Sequence, residues 1–153
     1  MDRFRVVPAA YVVLRREGRS GGQVLLQLRQ RTGYMDGFWA CGAAGHVEAG
    51  ESVLESACRE GFEELGVKIE AIDLRPLCTM HRTQGTDWVD ERVDFFFECW
   101  RWSGQPRLLE PDKAADLRWF ELDHLPKPVV PHELGVLESL AHGGLASIVT
   151  FGF

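Results

Sequence analysis

Three glutamates, Glu60, Glu63 and Glu64, stand at i, i+3 and i+4, which on an α-helix puts their carboxylates side by side. Each like-charged pair at that spacing destabilises an isolated helix by a few tenths of a kcal/mol. The acids also fall late in the helix, where the macrodipole disfavours negative charge. Arg59 can relieve Glu63 but not all three. A hard divalent cation would resolve the conflict, because Mg²⁺ takes oxygen ligands and is commonly shared between carboxylates and substrate phosphates. Such an ion also answers an electrostatic puzzle. The formal charge is −6, and an acidic site attracts a polyphosphate only when cations between the two invert the local sign. A solvated acidic helix face is the commoner fate of three glutamates taken alone. Their late position and the glycine-rich approach before them weigh against that reading here.

The helix that carries them is bounded by its own residues. Ser52 followed by Glu55 forms a capping box, so the helix starts near Val53. Gly66 is placed to adopt the left-handed conformation that ends it near Leu65. At about 100° per residue, Leu54, Cys58, Gly61 and Leu65 make a narrow apolar stripe, with the three glutamates away from it.

The rest of the chain reads as strands around this helix. Residues 6–14 and 24–28 are aliphatic and separated by a glycine- and charge-rich loop over 15–22. Residues 30–38 form a surface loop, and a glycine-rich strand-like patch over 39–47 leads into the helix. Further strands are expected over 74–81, 89–99 and 117–122, with a second helix over 131–141 that has Pro131 in its first turn. The apolar tail, 147–153, reads as a last strand. No repeat or linker divides residues 1–153, so a single α/β domain with more strands than helices is expected.

The spacing narrows the chemistry. Gly45-x5-Glu51-x7-Arg59-Glu60-x-x-Glu63-Glu64-x-Gly66-Val67 resembles the signature of the Nudix hydrolases, G-x5-E-x7-R-E-U-x-E-E-x-G-U with U bulky and aliphatic, at every invariant position. Gly61 departs from it, standing where the family usually has an aliphatic residue; filling by Phe62 or by an aromatic of 95–97 is expected. Upstream, Gly42-Ala43-Ala44-Gly45 replaces the common Pro-Gly-Gly approach. Residues 31–39 and 117–122 also resemble the segments that flank the box in small Nudix nucleotide hydrolases. The resemblance implies a Nudix-type α/β/α sandwich with a mixed β-sheet. It implies Mg²⁺ or Mn²⁺ held by Glu60, Glu63 and Glu64, with the carbonyl of Gly45 as a further ligand. Arg59 would orient a glutamate through a fork-shaped ion pair, and Glu51 would brace the loop through Arg59. The general base varies within the family. Glu60 or Glu63 could serve, as could Glu110 or Asp112 in a loop, with Glu91 and Asp94 weaker candidates.

Other residues carry less. Arg29 and Arg31 are candidates for phosphate binding, set against ordinary surface charge. Trp39, Trp88 and Trp119 are candidates for base stacking, although core packing is the commoner role, and Trp119 is retained as the substrate candidate. His46 and His81 are poor ligands for a hard cation. The four cysteines form no CxxC pair, so zinc has little support and reduced thiols are expected.

The resemblance to small members favours a (deoxy)nucleoside triphosphate cut to monophosphate and pyrophosphate. Marks of other substrates are missing. No tyrosine follows Tyr34, no proline stands where ADP-ribose enzymes carry one after the box, and the motif SQPWPFPxS is absent. ADP-ribose and nucleotide sugars stay open, as does a non-catalytic nucleotide-binding module, against which the intact glutamates argue. A scaffold with an incidental acidic helix is the remaining rival. A small-molecule partner is expected, without nucleic acid, because broad binding to it needs a basic stripe. A membrane span is not expected, since the longest apolar stretch is short and contains Pro8. A cytoplasmic location is expected, and a homodimer is allowed.

Overall fold

The computed structural model describes residues 3–84 and 91–153. Among the described residues, eight strands occur in chain order with two α-helices: β1 (Val7–Arg16), β2 (Gln23–Arg29), β3 (Trp39–Cys41), β4 (Ala43–His46), α1 (Val53–Leu65), β5 (Leu74–Arg82), β6 (Arg92–Cys99), β7 (Ala114–Glu121), α2 (Pro131–His142) and β8 (Ile148–Phe151). The long, aliphatic β1 organises them. Ala9 to Val12 pair with β4 on one side and Val7 to Leu14 with β6 on the other, and the last residues, Arg15 and Arg16, pair with β2. β2 then carries β3 and β7, while β6 carries β5 and β5 carries β8. The β1–β6 and β5–β8 pairings are parallel and the others antiparallel. The sheet is therefore mixed, as expected.

Successive strand residues face opposite sides of a sheet, and here both sides are covered. Ala10, Val12, Leu14, Ala43 and Phe97 pack with Ala57 and Leu65 of α1. Ala9, Tyr11, Val13, Met80 and Phe96 pack with Val136 and Leu137 of α2. The result is the α/β/α sandwich. Two-sided burial also explains why β6 reads Val-Asp-Phe-Phe-Phe rather than alternating cleanly: Asp94 and Phe96 lie on the α2 side and are buried, while Phe97 is buried on the other.

Several details differ from the sequence reading. β7 starts at Ala114 rather than at 117, because its pairing with β2 runs on to Arg29 across a register shift. β6 starts at Arg92; residues 85–90, including Trp88, lie outside the described residues. The core face of α1 is rotated from the expected stripe. Ser56, Ala57, Glu60, Gly61 and Leu65 are buried, whereas Leu54 is 39% exposed. Small residues decide this, since Ala57 and Gly61 let the helix approach closely. Phe62, expected to fill the space at Gly61, is 63% exposed. A Cβ on Gly61 would instead lie 2.8 Å from Cδ1 of Ile69, so the chain just beyond the helix fills the gap. Rotation has a consequence for chemistry: it turns Glu60 and Glu64 inward against β4.

Candidate active site

Both ends of α1 are built as its residues dictate. Ser52 accepts from the Glu55 amide and Glu55 returns the bond, completing the capping box, and Gly66 takes a left-handed φ of 70°. Between them Arg59 acts as a hub. Its Nε and Nη2 donate to the two oxygens of Glu51, each at 2.8 Å. Its Nη1 donates to Glu60 at 2.7 Å and to Glu63 at 3.1 Å, and Nη2 also reaches the His46 carbonyl on β4 at 3.1 Å. This two-pronged geometry is specific to arginine. The Arg59 bonds pull the Glu51 pKa down to about 2.

One guanidinium thus reaches two of the three clustered glutamates. Glu64 is left over. Its Oε2 accepts the Ala44 amide at 2.7 Å, but burial, with Glu60 and Glu110 adding repulsion, pushes its pKa up to about 8. Glu60 is 9% exposed, and burial raises its pKa despite Arg59. Its carboxylate lies against Gly45, where a Cβ would collide with it. The glycine at the start of the signature therefore has a local physical reason: only a residue without a side chain lets β4 pass so close to Glu60.

The donor set, carboxylate and carbonyl oxygen, suits a hard divalent cation. Among the described residues, however, no three His, Cys, Asp or Glu side chains converge on one point. Glu60 and Glu63 turn to Arg59 and Glu64 to Ala44, so ligation requires rotamer changes in which Arg59 yields at least one carboxylate.

Two clefts open beside these groups. One, of about 280 Å³, is lined by Gly45 and Glu64 at one end and by Tyr11, Arg82, Arg92, His132 and Glu133 elsewhere. The other, of about 390 Å³, is lined by Arg29, Arg31, Glu64, Glu110 and Lys113. Glu64 and Arg29 border both. Arg29 is fastened to the Tyr34 carbonyl at 2.8 Å and to Thr32 Oγ1 at 2.9 Å. Arg31 adopts a positive φ of 53°, a costly conformation for a non-glycine residue. Glu110 lies 3.5 Å from Lys113.

Other sequence candidates lie elsewhere. Trp119 stacks on Trp102 at 6.0 Å with Arg16 over its ring, and it lines neither cleft. Trp39 is buried core. Asp94 is fully buried and bonds Arg82 Nε at 2.6 Å, and Glu91 lies 3.0 Å from His81. The four cysteines are free.

The cleft also has walls that sequence reasoning missed. Glu133, in the first turn of α2, is buried and accepts the Cys41 amide at 2.6 Å; burial raises its pKa. Beside it, His132 Nε2 lies 3.1 Å from the Tyr11 hydroxyl, and burial lowers its pKa to about 3. An acid in a first helical turn is ordinary dipole chemistry, so nothing in the string set Glu133 apart.

Known proteins agree with this geometry. The family model described as NUDIX domain matches residues 5–140. The NAD-capped RNA hydrolase NudC of Mannheimia succiniciproducens is 30% identical over 92% of this chain and 48% of its own length. Putative nudix hydrolase 1 of Caenorhabditis elegans is 30% identical over 76% of this chain and 29% of its own. The chain therefore spans half or less of these two relatives. Among solved structures, the MutT NUDIX hydrolase of Burkholderia pseudomallei is 32% identical, with a TM-score of 0.66 over 84% of this chain and 96% of that one. With the family match running through nearly the whole sandwich, from the first strand into the second helix, this chain belongs to the Nudix hydrolase family.

Proposed function

We propose that the protein hydrolyses a diphosphate linkage in a nucleoside diphosphate derivative with the help of Mg²⁺ or Mn²⁺, and that a (deoxy)nucleoside triphosphate, cut to monophosphate and pyrophosphate, is its substrate. The observation that carries this reading is the juxtaposition of Glu60 against Gly45 with Glu64 and Gly45 lining the cleft of about 280 Å³, Glu63 standing one turn away on the same helix. Glu60, Glu63, Glu64 and the Gly45 carbonyl would hold the cation. Bound there, it neutralises phosphate charge and acidifies a water molecule.

The chain's own groups supply the rest. Arg59 would hold Glu60 and Glu63 within reach of the cation. Glu110, which lines the same cleft as Glu64, would take the proton from the attacking water. Arg29, on the border of both clefts, would bind a phosphate oxygen. Glu133, His132 and Tyr11 would meet the nucleoside, where a buried carboxyl and a neutral imidazole read polar edges without adding charge.

Relatives' printed names support the substrate class. They include the NAD-capped RNA hydrolase and, on fold alone at 22% identity and a TM-score of 0.65, a UDP-X diphosphatase. The test is a panel of nucleoside triphosphates, dinucleotides and nucleotide sugars with Mg²⁺ or Mn²⁺, scored by released phosphate species. Glu63→Gln is expected to lower kcat by at least about a hundredfold while the fold survives. Equal rates in variant and parent would remove the mechanism, and binding without turnover in the parent would favour a nucleotide sensor.

A further inference from the structure

Arg82 and Arg92 are direct partners in the β5–β6 ladder, an arrangement in which like charges repel. Both line the 280 Å³ cleft on the α2 side of the sheet. One carboxylate serves them: Asp94 bonds Arg82 at 2.6 Å, and its Oδ1 is left without a partner. Arg92 has no carboxylate partner among the described residues. Its Nε is buried and unpartnered, and its Nη1 faces the ring of His46. His46, an imidazole, brings no negative charge to balance it. His132 lies 3.8 Å from Asp94, and burial lowers its pKa to about 3. Three arginines line this cleft with two glutamates, of which Glu64 is turned to the Ala44 amide and Glu133 to the Cys41 amide, both away from Arg92. A stability argument gives no reason to set a second guanidinium beside Arg82 here.

We infer that Arg82 and Arg92 form an anion subsite for a second phosphate, one carried on the nucleoside side of the substrate and distinct from the diphosphate that is cut. Its position sets it apart from the reacting end. Strands pair in the order β4, β1, β6, β5, and neighbours lie about 4.8 Å apart, so the β6 and β5 backbones stand roughly 10 and 14 Å from Gly45 on β4. Arg82 is held in place by Asp94 and by Tyr11, 3.4 Å away. A phosphate bridging both arginines would lie across β1 from β4, with the nucleoside between it and Glu64. The chemistry fits a phosphomonoester on the ribose or the phosphodiester to a following nucleotide. The inference rests on the proposed nucleotide reading of the same cleft.

The test is calorimetric binding to the chelator-treated protein, so that no cation bridges the ligand. The probes are AMP and GMP, their 2′,5′- and 3′,5′-bisphosphates, and the dinucleotides pApA and pGpG. The parent is expected to bind at least one bisphosphate or dinucleotide tighter than its monophosphate by roughly tenfold to a hundredfold, the range of a charge-assisted hydrogen bond. Arg92→Gln is expected to abolish that preference and Arg92→Lys to retain part of it, with melting curves confirming that both fold. A preference shown by the dinucleotides assigns the site to a phosphodiester, and one confined to bisphosphates to a monoester. No preference in the parent, no binding of any probe, or a preference that survives Arg92→Gln overturns the inference. The preferred ligand type, tested as a diphosphate derivative with Mg²⁺, separates the two ideas: binding preference without hydrolysis leaves the subsite standing and removes the proposed reaction.

Discussion

Glu64→Gln ties the site's chemistry to a measurable stability. Burial and neighbouring acids lift the Glu64 pKa from 4.5 to about 8. A carboxyl with a raised folded-state pKa favours folding fully at low pH, where both states are protonated. As pH rises past about 4.5 the unfolded chain ionises while the folded one does not, and folding loses free energy until the folded group also ionises near pH 8. Each pKa unit is worth about 1.4 kcal/mol, so the ceiling on the loss is roughly 5 kcal/mol. Relaxation and water entry reduce it, and about 2 to 5 kcal/mol is expected. Glutamine keeps an oxygen for the Ala44 amide, now held at 2.7 Å, and cannot ionise. In chelator, the variant should match the parent at pH 5 to within about 1 kcal/mol and exceed its stability by about 2 to 5 kcal/mol at pH 8 to 9. Urea denaturation of both proteins at several pH values measures this, because the many groups they share cancel in the difference. The same substitution should lower kcat by at least about a hundredfold, since it removes a proposed ligand. A parent–variant difference that is flat from pH 5 to 9, or a variant weaker at pH 8, would refute the reasoning.

Two further outcomes follow from the same geometry. Binding of Mg²⁺ should release protons below pH 8, because Glu64 must ionise to act as a ligand; affinity should rise by up to about tenfold per pH unit, and calorimetry in buffers of different ionisation enthalpy reads the released proton directly. Gly45→Ala puts a Cβ where the Glu60 carboxylate now lies, and should cost about 1 to 3 kcal/mol of stability while displacing Glu60. Denaturation together with steady-state turnover checks it, and parental values for both would show that β4 and α1 are not constrained as described.

Much of α1 was readable from the string because its determinants are local. Ser52, Glu55 and Gly66 set its ends through bonds spanning a few residues, and the signature spacing places Arg59, Glu60, Glu63 and Glu64 on one helix whatever surrounds it. Strand existence was legible for the same reason, since aliphatic runs bounded by glycine and charge need little context. Three-dimensional packing decided the rest. The rotation of α1 depends on how closely Ala57 and Gly61 approach the sheet, and that depends on Ile69 and Val67 closing over the helix. This rotation separates Glu63 at the surface from Glu60 and Glu64 inside, a distinction that three identical letters cannot carry. Likewise Arg82, Arg92, His132 and Glu133 meet Glu64 in one cleft only because β1 brings β4 and β6 to its two sides and α2 packs across them. Local hydrogen-bonding chemistry is written along the chain; burial and charge balance depend on neighbours distant in sequence, and the fold alone chooses those.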